Sequence, residues 1–139
     1  MIDFQNNICD MLSINDFNDI YIKLADGKDL ELLIVDDESI RELNRQHRGL
    51  DKATDVLSFP VEFEFAKFLG SIVISYETAS KAADEFGHTI KDEAKLLFIH
   101  GMLHLLGFDH ESDNGEMRIK EQEIIRELAL PLSLTERNS

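Results

Sequence analysis

Cysteine is almost absent from this sequence: Cys9 is the only one, so no internal disulfide can form. That scarcity, together with an opening MIDFQNNICDML that lacks the basic and apolar regions of a signal peptide, makes a cytoplasmic location the expectation. No apolar run approaches the roughly 20 residues of a membrane-spanning helix, so no membrane partner is expected. The prolines, Pro60 and Pro131, lie far apart. No repeat, low-complexity segment or Pro/Gly/Ser-rich linker divides the chain, and residues 1–139 read as one domain. Basic residues are scarce as well: 14 lysines and arginines face 28 acidic residues, a net charge of −14. Such a balance repels polyanions at long range, so charge alone argues against nucleic acid as a partner.

What is present is a globular composition, 43% apolar with a mean hydropathy of −0.20. Ile8, Met11 and Leu12 suit a short helix, and Ile20, Ile22 and Leu24 alternate as a strand would. Asp26-Gly27 is a turn signal before a clearer strand at Leu30–Val35. Asp36 or Asp37 caps a helix predicted over 38–47, with Gly49 placed to end it. Val56–Phe59 reads as a short strand stopped by Pro60, and Leu69–Ser75 as a buried strand rich in β-branched residues. Helices are predicted at about 77–86, 91–106 and 113–128, with Gly87, Gly107 and Pro131 beyond their ends. Strands mostly early and helices mostly late predict a single α+β domain, with a small mixed sheet of about four strands packed with about five helices.

The chemistry concentrates in Ile99–His110. His100 and His104 are four residues apart on a predicted helix and so share one face. Two imidazoles at that spacing can reach one ion at the roughly 2.0–2.1 Å of Zn–N bonds. Gly107 can reverse the chain and return His110 as a third ligand. Three histidines leave a fourth tetrahedral position for water, as in a catalytic zinc site. Copper, iron or nickel would also suit imidazole. His47 and His88 stand outside this motif and read as non-ligands.

His-x-x-x-His on a helix first suggests a zinc protease, and a third histidine six residues on, with glycine between, reproduces the metzincin spacing. Gly101 breaks that reading, because the protease needs glutamate there as general base. Without it, proton transfer worth about 10²–10⁴-fold is lost.

His100-Gly101-Met102-Leu103-His104-Leu105-Leu106-Gly107-Phe108-Asp109-His110 resembles the H-G-x-L-H-L-x-G-[YF]-D-H pattern of the YbeY family of bacterial endoribonucleases. Asn44, Arg48-Gly49 and Thr54–Pro60 form a second matching block, and Leu69–Ser75 a third. The resemblance spans roughly residues 30 to 128. It implies an α+β fold with a mixed sheet, one zinc ion on His100, His104 and His110, and hydrolysis of single-stranded RNA. It further implies 16S rRNA 3′-end processing and ribosome quality control, with the small ribosomal subunit and a ribosomal or GTPase protein as partners. The family's functional arginine carries over onto Arg48. Ser71 departs from the family's common Asp at that position, which leaves open what that acid does. A metal-containing ribosome-assembly factor without catalysis is the competing reading, and a metalloprotease the more distant one.

Phosphodiester hydrolysis needs an activated nucleophile and stabilised charge on phosphoryl oxygens; zinc suits the first and the planar fork of Arg48 the second. Asp109 and Glu111 flank His110, but neither stands out as a general base. Arg41, Arg45 and Arg48 share a helix face that could bind phosphates, unless Glu38 and Glu42 neutralise it. Much of the acid excess lies elsewhere, including Glu111, Asp113, Glu116, Glu121, Glu123 and Glu127. Leu96, Leu97, Leu103 and Leu106 read as core, and Phe59, Phe63, Phe65 and Phe68 as packing residues.

Overall fold

The computed structural model describes residues 1–61, 67–109 and 111–131, so Phe63, Phe65 and His110 lie outside the described residues. Four strands, β1 (Ile2–Asn6), β2 (Asp29–Val35), β3 (Val56–Pro60) and β4 (Phe68–Ser75), form one sheet in the order β1-β2-β4-β3. The β1–β2 and β2–β4 pairings are parallel, and β3 runs antiparallel to β4 at the edge. The described residues also contain five α-helices: α1 (Asn18–Leu24), α2 (Asp37–Arg48), α3 (Tyr76–Phe86), α4 (Ile90–Leu105) and α5 (Glu116–Leu128). This is the α+β fold with a small mixed sheet that the sequence predicts. No helix among the described residues is long and apolar enough to cross a membrane.

The two sheet faces are covered unequally. Leu30, Leu32, Ile34, Ile72 and Ile74 join the larger core, which includes Leu96, Leu97, Phe98 and Met102 of α4. Leu33, Val35, Leu57 and Val73 turn to the other face and meet Ile40 and Leu43 of α2. Helix α4 is apolar on nearly every side, as a helix enclosed by a sheet and other helices must be. Even Glu93 on α4 is fully buried, where it meets His88 Nε2 at 2.6 Å. That contact accounts for His88 outside the histidine motif.

The first 28 residues depart from expectation. Ile2 and Phe4 alternate in β1, which the sequence reading did not assign, and Ile20 and Leu24 belong to helix α1 rather than to a strand. Ile20 and Leu24 fit both periods; Ile22, 75% exposed, decides for the helix. The Ile8–Leu12 stretch is not helical. The Asn6 side chain accepts from the Ile8 and Cys9 N–H groups and donates to the Cys9 and Leu12 carbonyls, giving that backbone non-helical partners. Leu106 is another correction: it caps α4 at 38% exposure instead of entering the core. Pro60 ends β3 as its last residue, on an edge strand where a missing N–H costs little.

Candidate metal centre and cleft

Helix α2 sets one wall of the site. Asp36 caps it by accepting from Ser39 N–H, and Gly49, at φ 69°, ends it in the left-handed conformation. Arg48 thus falls in the last turn, where the helix dipole favours a cation. Buried Asn44 donates to the Lys52 carbonyl at 2.9 Å and pins the following loop against the helix. The expected basic stripe is mostly neutralised: Arg41 pairs with Asp51, and Arg45 with Glu42, whose carboxyl those hydrogen bonds hold down to about 2. Arg48, exposed, makes no ion pair or hydrogen bond among the described residues.

Helix α4 sets the opposite wall. His100 and His104, half-buried, lie one turn apart with their rings edge-on and their Nε2 atoms 3.1 Å from each other. Their Nδ1 atoms turn outward to oxygens: His100 to Glu121 Oε1 at 2.8 Å, His104 to the Phe108 carbonyl at 3.0 Å. Gly107, at φ 99°, bends the chain after α4 so that this carbonyl comes back to the ring. An Nδ1–H donated to such an acceptor leaves the Nε2 lone pair facing the neighbouring ring. Two ligands of one tetrahedral zinc lie roughly 3.3 Å apart, so the donor set and spacing fit a shared cation. No third His, Cys, Asp or Glu among the described residues completes the cluster; His110, the remaining predicted ligand, is outside them.

Gly101 has a packing reason. A Cβ there would lie 3.0 Å from Ile72 Cγ2 and 3.1 Å from Ser58 Oγ, so α4 sits close against β4 and β3 with little space for more than a methyl group. A glutamate general base at that position is sterically excluded, which removes the support for a protease.

Between these walls runs a cleft of about 560 Å³, floored by Asp55 and β3. Arg48, His100, His104, Asp109 and Glu111 all line it. His47 also borders it, its ring 4.9 Å from that of Phe59. Asp109 caps the turn after α4, accepting from Glu111 N–H and the Ser112 hydroxyl. Burial raises the Asp55 carboxyl above its ordinary range, against the pull of the Val56 N–H and with Glu93 nearby pushing the same way. Ser71 lies on the α2 face of the sheet, opposite to Ile72, and its hydroxyl donates to Glu31 at 2.9 Å.

Sequence reasoning missed two residues here. Glu121 enters the sequence reading only as part of the acid excess, yet it is 1% exposed. A signal existed: Met117, Glu121, Ile124 and Ile125 form the buried stripe of α5, and a carboxylate in such a stripe needs a partner. Asp55 carried no such signal, since its burial comes from elements distant in the chain.

A helix-borne histidine pair, oriented by a carboxylate and a carbonyl and lining one cleft with an arginine, is an arrangement suited to holding a cation on an α+β scaffold. The profile of the endoribonuclease YbeY family matches residues 4–129. An endoribonuclease YbeY of Nautilia profundicola is 62% identical over 138 residues, covering 99% of each chain. One from Helicobacter pylori is 55% identical over 114 residues, covering 82% of this chain and 81% of its own. The solution structure of a Thermotoga maritima protein, 30% identical, superposes with a TM-score of 0.64 over 92% of this chain and 89% of that one. The chain belongs to the endoribonuclease YbeY family and is a hydrolase.

Proposed function

We propose that this chain is a zinc-dependent endoribonuclease specific for single-stranded RNA, acting in 16S rRNA 3′-end maturation and ribosome quality control. The observation that carries the reading is the meeting of Arg48 from α2 with His100 and His104 from α4 in one cleft. His100, His104 and His110 would hold the ion. Zinc bound there would supply Lewis acidity towards a phosphoryl oxygen and would lower the pKa of a water towards neutrality.

The chain's own groups do the rest. Glu121 and the Phe108 carbonyl fix the orientation and tautomer of the two imidazoles. Arg48, free of competing acids among the described residues, offers its planar fork to the phosphate oxygens. Asp55 places a carboxyl on the cleft floor beside the reacting groups, with burial pushing its pKa up. With net charge −14, and with Arg48 the one arginine of α2 unpaired among the described residues, long-range attraction of RNA is weak. A small-subunit partner, a ribosomal or GTPase protein, would therefore deliver the substrate in the cell.

The test is cleavage of unstructured RNA by purified protein with and without one equivalent of zinc, alongside metal analysis of His104→Ala. Metal-dependent cutting of the wild type, absent in the variant, is the expected result. A protein that binds zinc and supports rRNA processing in cells, yet cuts no RNA, would mean an assembly factor without catalysis.

A further inference from the structure

We propose that the outer edge of β3 holds an unpaired nucleobase of the RNA strand, with Ser58 offering its backbone N–H and C=O to the base's Watson–Crick edge. The proposal rests on the RNA reading above. It names where the strand's bases go and why a paired strand would be refused.

The phase of β3 comes from its hydrogen bonds. Ser75 N–H donates to the Asp55 carbonyl at 2.9 Å, and Val61 N–H to the Leu69 carbonyl at 3.0 Å. In the antiparallel register between them, Leu57 and Phe59 also turn their backbone groups towards β4. Val56, Ser58 and Pro60 therefore turn theirs away from the sheet. No described strand covers that side, because β3 is last in the order. Of the three outward positions, Val56 has its N–H taken by Asp55 Oδ1 at 2.8 Å, and Pro60 has none. Ser58 alone presents a donor and an acceptor together.

An extended peptide added as a new strand would need the outward N–H of alternate residues. Here two of three are missing, so the edge is ill suited to a peptide. A nucleobase needs only one donor beside one acceptor, and each of the four bases offers the complement on its Watson–Crick edge. In a duplex that edge is already occupied. The ledge also stands in the right place. The Ser58 hydroxyl approaches the Gly101 carbonyl at 3.5 Å, next to His100, and the whole strand floors the cleft that Arg48 overlooks. A base seated on Ser58 brings its own phosphate between the two walls. The Phe59 ring, with His47 beside it, lies one residue further along the strand.

The experiment follows the Ser58 amide in zinc-loaded protein by NMR hydrogen exchange, with 2′-O-methyl oligoribonucleotides that cannot be cut. Three probes are compared: an unstructured strand, an abasic strand of equal length and charge, and a blunt duplex. The unstructured strand should protect the Ser58 N–H, while the abasic strand and the duplex should not. Ser58→Pro, which deletes only an outward donor, should weaken binding of the unstructured strand about three- to tenfold and leave the abasic strand unchanged. Ser58→Ala keeps the backbone and should bind like wild type. If Ser58→Pro fails to fold, protection of the wild-type amide still decides. An unstructured strand that binds without protecting Ser58, or an abasic strand that binds equally well, overturns the ledge and leaves the RNA reading standing. Failure of every oligonucleotide to bind overturns both. Protection by an extended peptide but by no oligonucleotide assigns the edge to protein instead.

Discussion

Glu121 of α5 and His100 of α4 meet at 2.8 Å, carboxylate oxygen to ring Nδ1, with Glu121 buried to 1% exposure. A buried carboxylate is costly unless it is hydrogen-bonded, so this contact both relieves the acid and fixes the ring.

Replacing that acid tests the link without opening a cavity. Glu121→Gln keeps the shape and an acceptor oxygen but loses the charge that makes His100 a stronger ligand. Zinc affinity should fall about 10–100-fold, measured by chelator competition, with the circular dichroism spectrum unchanged. Equal affinity in the two proteins would deny Glu121 any role at the metal.

Loss of either imidazole should be more severe. His100→Ala and His104→Ala should each be purified with well under one equivalent of metal, read by elemental analysis. Full occupancy in either variant would show that the facing Nε2 atoms do not share an ion.

Arg48 separates catalysis from folding. It is exposed and unpaired among the described residues, so Arg48→Ala should shift stability by no more than about 0.5 kcal/mol. Removing one charge-stabilising donor should lower the RNA cleavage rate about 10²–10³-fold, with zinc content unchanged. Undiminished cleavage would take Arg48 out of the reaction.

At Gly101 two effects oppose each other. Alanine gains up to about 1 kcal/mol of helix propensity. Its Cβ would press on Ile72 and Ser58 at 3.0–3.1 Å, and overpacking of this kind costs about 1–3 kcal/mol. Gly101→Ala should therefore be neutral to mildly destabilising, whereas Gly101→Glu should lower the thermal midpoint by several degrees and confer no peptidase activity. A stable Gly101→Glu protein would contradict the close approach of α4 to the sheet.

Asp55 predicts a pH dependence in the metal-free protein. Its folded-state pKa is raised, chiefly by burial, so the folded protein binds the proton more tightly than the unfolded chain. The stability this contributes is present at low pH and is lost as pH rises from the ordinary Asp range through the raised value. Asp55→Asn should thus be more stable than wild type at pH 7 in urea unfolding, with the difference shrinking towards pH 4. A constant difference across that range would contradict the burial of the charge.

The elements from β2 onward were legible because each carried a local signal. Asp36 and Gly49 bracket α2, β-branched residues fill β4, and α3 and α4 follow their caps and glycines. The N-terminal segment was not legible. Ile20 and Leu24 satisfy two periods at once, and burial in the core that holds Phe17 and Phe98, with Ile22 left exposed, selects the helix. Asn6 likewise denies a helix to residues 8–12 through side-chain bonds that no periodicity records.

By itself the sequence determined the parts of the site that depend on neighbours along the chain. The four-residue spacing puts His100 and His104 on one helical face, Gly107 provides the bend after it, and Gly49 leaves Arg48 in the last turn of α2. Tertiary structure alone decided that these parts face one cleft, that Glu121 meets His100, and that Ser58 turns its backbone outward. Those facts depend on how α5 packs against α4, which strand forms the sheet edge and in which register it pairs. Contacts between residues far apart in the chain fix both, and no local propensity encodes them.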